Sequence, residues 1–327
     1  MNNVPLTPAT GEPTETLVQY ILRITFEIWE QRGIERIHDY YAEDTPVYAL
    51  AGVTHGAQVV VDGTRAMLDA FPDRILVGDD VVCSGDVRRG YSSHRIISTM
   101  THRGAGPLGA PTGRQARILT IADCVVEDGR IVREWLFRDQ FSLVRQLGLD
   151  PIAVARGVRA GQSAETRAWL AGELDRLNAS SAVYDASEHE HGAWCAALLS
   201  ALWMGVEPKT IEPYYAPYVA LHAAGDHLLS GRDELLLRYA GLSAAFAVDR
   251  FEVEHVASPP ATGDDQCLAV RWSAAAEHVG EFEGVAPTGR RVLIAGATHW
   301  RRHAGVVITE WTVFDTLGVL AQIVDPA

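Results

Sequence analysis

Apolar residues recur at Leu17, Tyr20, Ile21, Ile24 and Ile28, and Gly33 follows. That is the three-and-four spacing of one helical face with a stop behind it, and it predicts an amphipathic helix over residues 14–32. A second helix is expected over 64–71. The period then falls to two. Arg114 to Val126 and Arg130 to Asp139 read as strands flanking Asp128-Gly129, a strong signal for a two-residue hairpin turn. Pro111-Thr112-Gly113 marks another reversal. Ile152 to Leu177 returns to helical periodicity until Asn178-Ala179-Ser180-Ser181 breaks it. A helix starting near Ala186 and another over 231–246 lead into a second run of β-type segments.

The second run copies the first at an offset of 176 residues. Arg95, His102, Gly104, Ala110-Pro111-Thr112-Gly113-Arg114, Gly129, Glu134-Trp135, Asp139 and Gln146 recur as Arg271, His278, Gly280, Ala286-Pro287-Thr288-Gly289-Arg290, Gly305, Glu310-Trp311, Asp315 and Gln322. Without a gap, 14 of 52 positions coincide, where average residue usage gives about 3; the chain is therefore two copies of one domain. Upstream, Trp29 and Tyr40-Tyr41-Ala42 are echoed by Trp203 and Tyr214-Tyr215-Ala216. Helices first and antiparallel strands afterwards make each copy α+β. The expected organisation is a disordered stretch 1–13, a first domain 14–150, a helical linker 151–187 and a second domain 188–327.

Composition narrows the function. With 47% apolar and 21% charged residues the chain is globular. A net charge of −14 without a basic cluster argues against nucleic acid. The four cysteines suggest neither a zinc site nor a disulfide framework. No signal-peptide pattern and no run of about 18 apolar residues is present, so the expected compartment is the cytoplasm, with no membrane partner.

The candidate chemistry sits at the strand ends. By alternation Trp135, Phe137 and Asp139 share one face, and Glu134, Leu136 and Arg138 the other. Trp311, Val313 and Asp315 repeat the first arrangement. An acid ending an apolar, aromatic face should have its pKa raised by desolvation, which suits a general base or acid. The same Asp could equally cap the helix that follows. His102 and His278 lie at equal positions in the preceding strand; each is a hydrogen-bonded core residue or a donor to a developing oxyanion. Trp29, Tyr41, Trp203 and Tyr215 are core packing or pocket lining. Gly104–Gly109 matches G-x-G-x-x-G but opens no helix, so it is not a dinucleotide site. His189-Glu190-His191 reads as solvated. His299 and His303 lack a third ligand, so no metal is expected.

At these residues the chain resembles the SnoaL-like polyketide cyclase family of the nuclear transport factor 2-like superfamily. The signature runs through His102, Gly104, Pro111 to Arg114, Glu127 to Ile131, Glu134-Trp135, Asp139 and Gln146-Leu147-Gly148. The second copy departs at Ala304-Gly305 and Gln322-Ile323-Val324. The resemblance implies tandem cone-shaped α+β barrels, a curved mixed or antiparallel sheet around helices, packed as an intramolecular pseudo-dimer. A further homodimer is left open. It implies an acid–base enzyme needing no metal or organic cofactor, which cyclises or isomerises a hydrophobic, polyketide-like small molecule by removing a proton next to a carbonyl. Asp139, and by the repeat Asp315, would be the acid–base residue, assisted by His102 or His278. Trp135, Phe137, Tyr41, Trp29, Trp311, Tyr215 and Trp203 would contact substrate. On that reading Asp139→Asn folds at least as stably as the parent and is inactive. A dehydratase or lyase on the same cone, and a non-catalytic binding or dimerisation protein, are the alternatives.

Overall fold

The computed structural model describes residues 15–180 and 189–325. The expected disordered start and the helix start near Ala186 lie outside the described residues. Helix α1 (Leu17–Thr25) opens with a capping box between Thr16 and Gln19 and runs into a π-helical turn, Phe26–Glu30. Helix α2 (Ile37–Tyr40), strands β1 (Pro46–Ala49) and β2 (Gly52–His55), and helix α3 (Ala57–Ala70) follow. Four long strands come next: β3 (Ile75–Gly85), β4 (Arg89–Thr101), β5 (Gln115–Glu127) and β6 (Arg130–Arg138). Helix α4 (Gln140–Gln146) closes the first half.

Two helices, α5 (Pro151–Gly161) and α6 (Ala164–Ala179), stand where the periodicity suggested one. The break comes at Ser163, whose hydroxyl accepts from the backbone N–H of Thr166 and starts a new helix. Likewise α3 begins at Ala57, ahead of the expected 64. It starts behind Gly56 at φ 92° with no side-chain cap to announce it. The second half repeats the order: α7 (Gly192–Trp203), α8 (Pro208–Ile211), β7 (Tyr215–Ala223), β8 (His227–Ser230), α9 (Gly231–Ala245), β9 (Phe246–Ala257), β10 (Asp265–His278), β11 (Arg291–His303), β12 (Val306–Phe314) and α10 (Thr316–Ile323).

Each half is a six-stranded mixed sheet, in the orders β2-β1-β6-β5-β4-β3 and β8-β7-β12-β11-β10-β9. All neighbours are antiparallel except β1 with β6 and β7 with β12. Neither sheet closes into a barrel, so each is an open α+β cone. Asp128 and Gly129 sit at φ 46° and 75°, the double left-handed turn expected of Asp-Gly. Ala304 and Gly305 adopt the same geometry (47° and 85°) without a favourable first residue.

The halves pack sheet against sheet. Ile121 and Phe137 meet Ala297 and Val313; Val82 and Tyr91 meet Ala257 and Ala269. Two guanidiniums cross the interface reciprocally. Arg271 lies 3.5 Å from the Trp135 ring centroid, and Arg95 lies 3.7 Å from that of Trp311. Each is also charge-paired at home, Arg271 with Glu254 and Arg95 with Asp79. Helix α6 straps the two together: Thr166 accepts from the Val53 N–H of the first half, and Arg176 bridges Glu252 and Glu254 of the second.

Desolvated cation–π pairs couple by about 2 kcal/mol. A double-mutant cycle of Trp135→Leu and Arg271→Met, read by denaturant unfolding, should therefore return a coupling of about 1–2 kcal/mol. Strict additivity would mean that the stack contributes area alone.

Candidate active site

The first half is hollow between its sheet and its helices. On the inner face of the first sheet a cavity of about 430 Å³ lies between α1, α3 and the strands. Its apolar wall includes Ile21, Ile24, Val60, Met67, Ile96 and Ile131; its polar groups include Tyr41, Arg74, His94, Glu134, Arg138 and Asp315. Strand β6 supplies four lining residues, and a bulge sets their direction. The register of β5 on β6 shifts between Val125 and Val126. Ile131 before the shift and Glu134, Leu136 and Arg138 after it then all line the cavity.

Glu134 is 5% exposed and its Oε2 accepts from the Tyr41 hydroxyl at 3.1 Å. Burial in the apolar cone pushes its carboxyl up to about 7, against the smaller opposing pulls of Arg138 and Tyr41. His94 is buried, its Nε2 has no hydrogen-bond partner, and burial with Arg95 alongside lowers it to about 4, so it is neutral at pH 7. Asp315 is contributed by the other half. Its pKa rises to about 6 through burial, opposed by hydrogen bonds from the Gly318 and Ala51 backbone. Arg74 and Arg138 form no ion pair among the described residues; the one hydrogen bond from either is Arg74 to the Ser98 hydroxyl, at 3.3 Å.

The residues singled out from sequence scatter. Tyr41, Trp29 and Asp315 line the cavity. Asp139 does not. Its Oδ1 accepts from the Ser142 N–H at 3.1 Å, capping α4. Its Oδ2 accepts from Gly225 and Asp226 of the other half at 2.8 and 3.0 Å. Burial raises its pKa and these three bonds oppose the rise. Trp135 and Phe137 lie on the outer face of β6, in the interface, as does Trp311. His102 and His278 accept at Nδ1 from the backbone N–H of Thr112 and Thr288, holding the Pro-Thr-Gly turns. They stack on Phe71 and Phe246. Trp203 and Tyr215 are in the core of the second half.

That core occupies the space that is open in the first. At matching sheet positions Ile96 becomes Trp272, Cys124 becomes Trp300 and Arg138 becomes Phe314. Gly296 replaces Thr120, and a Cβ there would sit 2.5 Å from the Trp272 ring. Glu310, the counterpart of Glu134, accepts from the Tyr215, Tyr239 and Thr312 hydroxyls and the Trp300 indole. Four donors occupy its lone pairs, whereas Glu134 takes a single side-chain donor. Glu134, His94, Arg74 and Arg138 were not singled out from sequence as site residues. The signal available was the paired recurrence of Glu with Trp.

A six-stranded mixed sheet with helices on its inner face, open as an α+β cone, is the nuclear transport factor 2-like fold. The model of the SnoaL-like polyketide cyclase family matches residues 19–147 and again 194–323, and the chain belongs to that family. Among solved structures it is similar to AclR from Streptomyces galilaeus (25% identity, covering 42% of this chain and 82% of that one, TM-score 0.34). IdmH from Streptomyces antibioticus is 26% identical, over 41% of this chain and 98% of that one, with a TM-score of 0.34. A search of the curated proteins matches none. Among the described residues no helix is long and apolar enough to cross a membrane, and no group of three or more His, Cys, Asp or Glu is placed to hold a metal ion.

Two stability measurements follow. In Asp139→Asn one amide oxygen cannot serve both the helix start and the other half, and the amide NH2 faces backbone donors. The variant should lose about 1–3 kcal/mol, a cap plus a buried hydrogen bond. Unchanged stability with lost turnover would instead favour the acid–base role. Glu134 has the opposite sign. Its folded pKa is raised, so its penalty is absent below the unfolded value of 4.5 and complete above about 7. Glu134→Gln should match the parent at pH 4 and exceed it at pH 8 by up to about 3 kcal/mol.

Proposed function

We propose that the first half is a cofactor-independent acid–base catalyst and that the second half is its structural partner. The reading rests on one observation: Glu134, buried in an apolar cavity, has a carboxyl moved to about 7 and a side-chain hydrogen bond on one oxygen only. A carboxyl near the working pH is half ionised, where a base is both present and strong enough to act.

The substrate is a hydrophobic, oxygenated molecule of polyketide type, small enough for the cone. Glu134 removes a proton from carbon next to a carbonyl. The C–H electrons become an enolate, which attacks a second carbonyl of the same molecule and forms the ring C–C bond. The resulting alkoxide takes its proton back from Glu134, so the product is an isomer of the substrate. Tyr41 holds Glu134 in place throughout. The apolar walls fold the chain onto itself, which converts a slow encounter into an intramolecular one. Asp139, the acid suggested by the resemblance, supports this reading as a strut: it joins the start of α4 to the other half. Asp315 stands at the cavity wall with both roles open to it, since it caps α10 and lines the cavity.

The measurement is kcat/KM against pH with a diketone that closes to a ring. It should rise through about pH 7 as Glu134 ionises, and Glu134→Gln should lose about 10²–10⁴-fold. Full turnover by that variant sinks the assignment. Product mass separates the neighbouring chemistry: an isomer supports cyclisation, and loss of water or an aldehyde supports a dehydratase or lyase.

A further inference from the structure

Two other buried arginines are matched. Arg95 has Asp79 and the Trp311 ring; Arg271 has Glu254 and the Tyr91 hydroxyl. Arg74 and Arg138 break that rule inside the cavity. Arg74 is 8% exposed, its Nε has no hydrogen-bond partner, and its only side-chain bond is to Ser98. Arg138 has neither hydrogen bond nor ion pair among the described residues. The charge of Arg138 also bears on Arg74. An unpaired buried ion costs several kcal/mol, and two that repel each other cost more.

We propose that the cavity selects a carboxylate-bearing substrate with an apolar or aromatic body, its anionic group held between Arg74 and Arg138. The location rests on the cavity assigned above, whereas the claim itself does not require Glu134 to move a proton.

Three observations support it. First, the architecture does not require a cation at this place, because Phe314 fills the position of Arg138 in the other copy. Second, the carboxyls nearest Arg138 are bonded elsewhere and neither forms an ion pair with it: Asp315 accepts from the Gly318 N–H and Glu134 from the Tyr41 hydroxyl. Third, both guanidiniums are held below their ordinary pKa by burial, Arg74 to about 9, as expected of cations lacking a partner. A guanidinium fork accepts a carboxylate through two parallel N–H bonds, and two forks surround it. Ile96, Leu76 and Met67 then leave an apolar wall for the rest of the molecule.

The test is calorimetric titration of the full chain with benzoate and 1-naphthoate, each against its neutral amide. Within at least one pair the acid should bind the parent tenfold or more tightly than the amide. Arg74→Met and Arg138→Met should each abolish that preference while leaving amide affinity close to the parent's and the melting temperature no lower, which shows the cavity intact. Glu134→Gln should keep the preference or enlarge it, whatever becomes of turnover. A parent that fails to favour the acid in both pairs overturns the proposal, and so does a preference surviving in both arginine variants. Loss of turnover in Glu134→Gln with the preference kept leaves both readings standing. Full turnover with the preference kept removes the acid–base assignment alone.

Discussion

The structure depends on what the outer face of each sheet is packed against. A six-stranded sheet wrapped around helices buries its inner face and leaves the other to water. Here each half covers the other's outer face by a reciprocal exchange. Arg271 lies on Trp135 and Arg95 on Trp311. Asp139 reaches the Gly225 and Asp226 amides, and Asp315 the amide of Ala51. These are the residues that recur at fixed offset in the sequence. The most visible part of the repeat, Trp-x-x-x-Asp, is thus an interface that both copies must keep to remain joined.

With the exchange in place the two interiors are free to diverge. One has smaller or polar residues, Ile96, Thr120, Cys124 and Arg138, and is hollow. The other has Trp272, Trp300 and Phe314, a glycine at 296 making room, and a carboxylate tied by four donors. Filling replaces a cavity with packed aromatic surface, worth several kcal/mol in cores of this kind. It gives the pair a filled member beside which the hollow one can hold a group that costs stability, such as Glu134. The filled half also supplies Asp315 to the wall of its partner's cavity.

Much of the architecture was legible because it follows from local chemistry and repetition. Asp128-Gly129 demanded a hairpin, the α1 stripe demanded a helix, and the 176-residue offset demanded two copies. Family membership followed from the same motifs. The site was less legible. Alternation in β6 separates Trp135 and Phe137 from Glu134, Leu136 and Arg138, but both faces of that strand are buried, one by the cavity wall and one by the other half. Period-two patterning says which residues share a face and is silent on which face turns inward when neither meets water.

What the sequence by itself determined is therefore the element order, the duplication and the family, since these rest on spacing along one chain. Only the tertiary structure decided that Asp139 spans two halves, that Glu134 looks into a cavity, and that the second cavity is occupied. The first turns on a contact between halves, Asp139 with Gly225; the others turn on segments that meet inside one half, Tyr41 with Glu134 and Trp203 with Trp272. A side chain's environment there is set by what other segments bring to it, which no local pattern encodes.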